Sequence, residues 1–334
     1  MNTKERILLY DYLRALAIFL VVIGHFRHLF FPNYHGENKF LFLLTSFGHF
    51  GVIIFFGISG ILVGKRLQNV NSLSDVKNFI LLRLSRIYVV LPFALLLTLI
   101  LDQIASFFNL YQGIEMFGII SQNSSPEARI SLKNFIGNFF SLQTFIFPFF
   151  GSNGPLWSLS YEVGFYILGP VFKISKKFRV PILFLLLILN QYEFLMFFLF
   201  WYFVPRVKFF KVNTYIFLIS TGVLIYTHVE KVMFLDVLYI FYFFILMFYM
   251  KTIKLPSLSY IKHLAKISFS LYIYHYPILL FLCFSLFPTD IKSFNWLQMM
   301  VTGGLTYLIC YLLFSLIEGA RWSNNIVNSF RDKI

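Results

Sequence analysis

Charge is what this 334-residue chain has least of. Only 13% of it is Asp, Glu, Lys or Arg, about half of what a water-facing globular surface carries. Acidic residues are the scarcer sign, 14 against 28 basic ones, for a net charge of +14. There are two cysteines, Cys283 and Cys310, each inside an apolar run. That excludes a disulfide framework and a Cys/His zinc site, so both read as packing residues. His28, His35, His49, His228 and His263 are scattered near segment ends without metal-ligand spacing; they receive no role, and no metal is expected. No period of 20 to 50 residues marks a repeat protein. A cleavable signal peptide is also missing: the first apolar region is too long and is interrupted by Asp11 and Arg14. With no soluble domain at either end and no low-complexity tail, residues 1–334 read as a single membrane domain.

What fills the chain instead is apolar, 59% hydrophobic and 21% aromatic. Many runs are long enough to span hydrocarbon as helix. The fold class is therefore all-α: a polytopic integral membrane protein with about ten transmembrane helices. The expected crossings are Leu8 to Phe30, Phe40 to Val63, Ile87 to Phe108, Pro155 to Phe172 and Val180 to Asn190. Five more follow at Tyr192 to Pro205, Asn213 to His228, Met233 to Met250, Ile267 to Phe287 and Trp296 to Glu318. The fifth and sixth are short and suggest a hairpin. Asn134 to Phe150 is apolar but short and glycine-broken, and is assigned as a re-entrant or interfacial segment. With that assignment 21 of the 28 basic residues fall on one side. The positive-inside rule makes that side, and both termini, cytoplasmic. The same clustering of basic residues between apolar runs is a topology signal and argues against nucleic acid as a partner.

The first apolar segment is the most informative. It carries Arg14 near its start and His25 near its end. Eleven helical steps return to nearly the same face, roughly 16 Å further along the axis. Charged and titratable groups inside a membrane helix are costly and normally face protein or a watery cavity. By the topology, Arg14 lies in the cytoplasmic half and His25 in the outer half. Glu162, in Leu156-Trp157-Ser158-Leu159-Ser160-Tyr161-Glu162, lies about 10 Å below the outer boundary, near the depth of His25. A carboxylate beside an imidazole in low dielectric can tune it to accept a proton from a hydroxyl; a buried structural pair, or a transporter's proton relay, uses the same residues.

Lys65, Arg66, Arg83 and Arg86 gather on the cytoplasmic side. Arg83 and Arg86, three apart, share a helix face if the third helix starts early. With Arg14 they suit a phosphorylated ligand, although lipid-headgroup contact explains an isolated cluster equally well. The small residues of Gly51-Val52-Ile53-Ile54-Phe55-Phe56-Gly57-Ile58-Ser59-Gly60 allow close approach, most often for helix packing. In Ser268-Phe269-Ser270-Leu271-Tyr272-Ile273-Tyr274-His275-Tyr276-Pro277, Tyr272 and His275 can face one cavity, or His275 can be a satisfied core histidine.

Taken together, these stretches resemble the integral-membrane acyltransferase-3 family, which O-acylates sugars of cell-surface glycans. Four match in family order: Leu13-Arg14-Ala15-Leu16-Ala17 to His25; Gly51-Val52 through Phe55-Phe56 to Ser59-Gly60; Arg83-Leu84-Ser85-Arg86-Ile87; and Leu156 to Glu162 through Phe165-Tyr166. The Ser270-Leu271-Tyr272 to His275-Tyr276-Pro277 stretch is a fifth, looser match. Val163 and Glu318-Gly319-Ala320 stand where the family often has a second acidic residue and a proline.

The resemblance implies a stand-alone membrane acyltransferase domain over residues 1–334, without a fused esterase-like domain, in the plasma (bacterial inner) membrane. It implies acetyl-CoA as cytosolic co-substrate, no permanently bound cofactor, and a glycan or lipid-linked glycan acceptor. Arg14, Arg83, Arg86, Tyr272 and His275 would then bind the acyl-CoA donor. His25 and Glu162 would be catalytic, and Trp157, Ser158 and Ser160 would meet the acceptor; membrane lipid is the remaining partner. A proton-coupled transporter using Arg14, His25 and Glu162 is the alternative, but related halves are missing. A glycan ligase would need outer-loop acids, and that loop offers only Glu115 and Glu127.

Overall fold

The computed structural model describes residues 3–30, 46–111, 126–208, 210–229, 235–287 and 296–331. The first residues of the second expected crossing, most of the outer loop with Glu115, and His35, Lys39, Lys231 and Lys292 lie outside the described residues. Every regular element among the described residues is a helix, and pairing of strand type is confined to a single bridge between Gln143 and Phe147.

In chain order the α-helices are α1 (Thr3–Phe30), α2 (Gly48–Leu67), α3 (Leu73–Tyr88), α4 (Leu91–Phe107), α5 (Leu132–Phe139), α6 (Leu156–Ile174) and α7 (Arg179–Ile188). Then come α8 (Tyr192–Phe203), α9 (Thr214–Val229), α10 (Leu235–Met250), α11 (Ser259–Leu286), α12 (Trp296–Leu316) and α13 (Arg321–Arg331). Each of the ten expected crossings overlaps a helix among the described residues, the first residues of the second and eighth lying outside them. Five helical stretches are long and apolar enough to span by themselves: Glu5–Phe26, Gly48–Leu67, Leu73–Phe107, Ser259–Leu286 and Leu297–Leu316.

Two boundaries differ instructively from the hydropathy. The third span begins at Leu73, well before Ile87, because Ser72 and Asp75 close a capping box: the Ser72 hydroxyl takes the Asp75 amide at 3.1 Å and the Asp75 carboxylate the Ser72 amide at 2.9 Å. Arg83 and Arg86 therefore both sit on α3. The stretch from Asn134 to Phe150 is no long helix: after α5 it runs through turns that put Ser141 (φ 56°) and Thr144 (φ 73°) in the left-handed region.

The described residues cluster into two compact units, interleaved in sequence: Met1–Val21, Lys39–Asn71 and Gly169–Ser268 form one, and Val22–Asn38, Ser72–Leu168 and Phe269–Ile334 the other. In the first, α2 packs against α8, α10 and the Val204–Arg206 turn. Small residues make this possible, as the Gly51 to Gly60 pattern suggested. A Cβ on Gly60 would lie 2.5 Å from the Trp201 carbonyl oxygen, and one on Gly57 would collide with the Phe243 ring. The Trp201 indole N–H also donates to Ser59 Oγ at 3.2 Å. The short helices α7 and α8 contact one another across a turn with Asn190 at φ 54°, the hairpin their lengths suggest.

In the second unit α3 packs on α13 and α4 on α5. Ser270 Oγ donates to Glu318 at 2.5 Å and Tyr274 Oη to the Val90 carbonyl at 3.3 Å, which ties α11 to the chain on either side. Outward faces of α7, α9 and α12 expose Ile188, Leu218, Ile219, Leu308, Leu312 and Leu316. Faces this apolar suit lipid and not water.

Candidate functional site

The second unit holds His25, at the C-terminal end of α1, against two residues of α11. Its ring centroid is 5.1 Å from that of His275 and 4.7 Å from that of Tyr276. His275 is fully buried. Its Nδ1 lies 2.8 Å from the Tyr272 carbonyl and 2.9 Å from the Leu271 carbonyl. A carbonyl only accepts, so Nδ1 carries the proton and Nε2 presents a lone pair. Among the described residues Nε2 has no hydrogen-bond partner, and neither has the Tyr276 hydroxyl. This unit thus brings His25 against an imidazole nitrogen and a phenol hydroxyl that have no hydrogen-bond partner among the described residues.

The same helix fixes the start of α6. Tyr272 Oη donates to the Pro155 carbonyl at 2.8 Å and so accepts from Ser158 Oγ at 2.5 Å. Ser160 instead turns its hydroxyl to the Trp157 carbonyl at 2.6 Å. Glu162 accepts from Tyr166 one turn along and lies within electrostatic reach of Tyr272. Trp157 meets Tyr161 edge-on at 5.4 Å.

A strap of chain before α6 completes the framework. Asn138 donates to the Pro148 carbonyl at 2.9 Å and accepts from the Phe150 amide at 3.0 Å. Gln143 Nε2 donates to the Leu156 carbonyl at 2.8 Å. Asn153 Nδ2 donates to Thr98 Oγ1 at 3.2 Å and to the Ile273 carbonyl at 3.1 Å, joining α4, strap and α11. Asp102 Oδ2 takes the Ser152 amide at 2.7 Å, beside Gly151 at φ 54°, and Oδ1 the Tyr111 hydroxyl at 3.2 Å. A Cβ at Gly151 would run into that carboxylate, so both the angle and the space require glycine.

The expected site residues thus fall into groups. His25, His275, Tyr272 and Ser158 belong to one connected set in the second unit, with Ser160, Trp157 and Glu162 on the adjoining turns of α6. His275, assigned to the donor by resemblance, sits against His25. On α3, Arg83 is buried with its guanidinium 5.9 Å from the Phe79 ring centroid, whereas Arg86 is exposed, so the pair does not present one uniform face. Arg14 is half-buried in the first unit. Motif reading passes over Asp102, Asn153, Tyr276 and Arg129. Asp102 did leave a signal, a lone carboxylate in an apolar run; the other three did not.

The first unit has a separate polar group. His49 Nε2 lies 3.0 Å from Asp236 Oδ1, and one ligand atom from each of His49, Glu193 and Asp236 falls within 4.8 Å of the others. An imidazole with two carboxylates is a donor set able to hold a divalent cation. Sequence spacing did not raise it, since the three residues come from three helices.

The model of the acyltransferase-3 family, an acyltransferase domain, matches residues 7–250. The match takes in the Arg14–His25 pair, the α2 glycines, Arg83, Arg86 and the start of α6, and stops before the His275 stretch. No curated protein and no solved structure matches the chain. The match covers most of the chain and agrees with its apolar helices: this multi-pass membrane protein belongs to the acyltransferase-3 family and is an acyltransferase.

Proposed function

We propose that this acyltransferase is an O-acetyltransferase, moving an acetyl group from cytosolic acetyl-CoA to a hydroxyl of a cell-surface polysaccharide, such as an O-antigen, or of its lipid-linked precursor, in the bacterial inner membrane. The observation that carries the reading is His25, in a family motif, packed against His275 and Tyr276, whose Nε2 and hydroxyl have no hydrogen-bond partner among the described residues.

In this reading His25 is the general base. It takes the proton of the acceptor hydroxyl as the oxygen attacks the thioester carbonyl; the carbon–sulfur bond then breaks and coenzyme A leaves as the thiolate, which recovers a proton. Formation of an acyl-histidine on His25 followed by transfer to the hydroxyl balances equally. His275, with Nδ1–H committed to backbone, offers Nε2 only as an acceptor. Glu162 is assigned to orient His25, Tyr272 to the donor side, and Trp157, Ser158 and Ser160 to the acceptor. Arg14, Arg83 and Arg86 are assigned to the donor's phosphates on charge and family motif.

His25→Ala in a stably expressed protein, with glycan acetylation read by mass, is the direct test. Acetylation should fall by about 10²–10⁴-fold, the share of a general base; undiminished acetylation would remove His25 from the chemistry.

A further inference from the structure

We propose that Arg129 is an anion-binding residue, placed to hold a phosphate or carboxylate group of a substrate in the unit that contains His25, His275 and Tyr276. Arg129 follows the outer loop, in the short turn Glu127–Arg129, and only 2% of its surface is exposed. Its guanidinium carbon lies 4.1 Å from the centre of the Phe149 ring. Its Nε and Nη1 are buried and have no hydrogen-bond partner among the described residues. Nor does a carboxylate come within ion-pair distance of it among those residues.

A guanidinium withdrawn from water costs several kcal/mol unless hydrogen bonds and a counter-charge replace the solvent. The carboxylates of Asp102 and, less strongly, Glu127 supply part of the charge. But the Asp102 oxygens are used elsewhere, on the Ser152 amide and the Tyr111 hydroxyl. The bland explanation, a structural Arg–Asp pair, would have spent the guanidinium hydrogens on that carboxylate. Burial lowers the Arg129 pKa to about 10, with Asp102 the main opposing influence, so it remains a cation at neutral pH. A buried cation with unused donors, near a phenol that also lacks a partner among the described residues and packs against His25 at 4.7 Å between ring centroids, is arranged for an oxyanion from outside the chain. The part this plays in acyl transfer rests on the function proposed above; the binding itself does not.

The experiment uses the full chain in nanodiscs at neutral pH and constant ionic strength. Inorganic phosphate and glucuronate are the anionic probes and glucose the neutral one, read by the thermal-unfolding midpoint. Phosphate or glucuronate should raise the wild-type midpoint saturably, and glucose should not. Arg129→Gln should weaken that response at least about tenfold, and Arg129→Lys should weaken it measurably, since an ammonium lacks the planar fork. A wild type that ignores both anions overturns the proposal, as does an Arg129→Gln protein responding like wild type. If Arg129→Gln does not fold, Arg129→Lys decides, and an unchanged response there is equally fatal. Acetyl-CoA affinity in the same variants identifies the source: unchanged affinity assigns the anion to the acceptor, and a parallel loss assigns it to the donor. Because the probes need no turnover, an intact anion response with no glycan acetylation would defeat the proposed function and leave this site standing.

Discussion

At the scale of single residues, the arrangement around His25 separates two roles that the motifs run together. His275 touches His25 through its ring and has already committed Nδ1–H to two backbone carbonyls. Its contribution can therefore come only through Nε2. His275→Asn keeps an amide donor near the carbonyls but removes that lone pair. It should lower the transfer rate while leaving acetyl-CoA affinity nearly unchanged, which steady-state kinetics and equilibrium donor binding would show together. The arginines of α3 predict the opposite split. Arg83→Ala and Arg86→Ala should each weaken acetyl-CoA binding with little effect on acceptor affinity. The exposed Arg86 should cost less, because a solvated charge is screened whereas the buried one is not. Unchanged donor affinity in both would return these cations to the role of topology signals.

At the scale of elements, glycines divide by what faces them. On α2, Gly60 faces backbone: an added Cβ would stand 2.5 Å from the Trp201 carbonyl oxygen and 3.1 Å from its Cα. Backbone cannot turn aside as a side chain can, so Gly60→Ala should destabilise by about 1–3 kcal/mol through overpacking. Gly304 on α12 has nothing within 4 Å, and Gly304→Ala should be neutral or stabilise by up to about 1 kcal/mol from helix propensity. Thermal unfolding in one detergent gives both signs. The cap of α3 offers a third case: Ser72→Ala removes the hydroxyl that takes the Asp75 amide, leaves the backbone amide of residue 72 on the Asp75 carboxylate, and should cost about 1 kcal/mol.

At the scale of the whole molecule, the testable property is orientation. The positive-inside rule, applied to the basic clusters, predicts both termini in the cytoplasm, with Lys177 on the cytoplasmic side and Lys133 on the outer side. The two native thiols are buried, Cys283 at 0% and Cys310 at 1% exposure, so the unaltered chain is a quiet background for labelling. A membrane-impermeant maleimide added to intact cells should therefore modify Lys133→Cys and leave Lys177→Cys untouched until the membrane is opened. The reverse pattern, or labelling of both, would defeat the assigned topology.

Much of this protein was legible before any coordinates. The scarcity of charge, the length of the apolar runs and the four ordered motifs determined an all-helical membrane chain of the acyltransferase-3 family, because hydrocarbon permits few backbone solutions and apolar length is written directly in the residues. The same residues placed Arg14 and His25 on one helix, since both lie within a single run. What the tertiary structure alone decided are relations across distant segments: His25 beside His275 and Tyr276, Asn153 between Thr98 and Ile273, His49 with Glu193 and Asp236, and the buried guanidinium of Arg129. Hydropathy has no term for them, because each depends on which faces of separate helices and loops come together and on which hydrogen bonds are then left unmade.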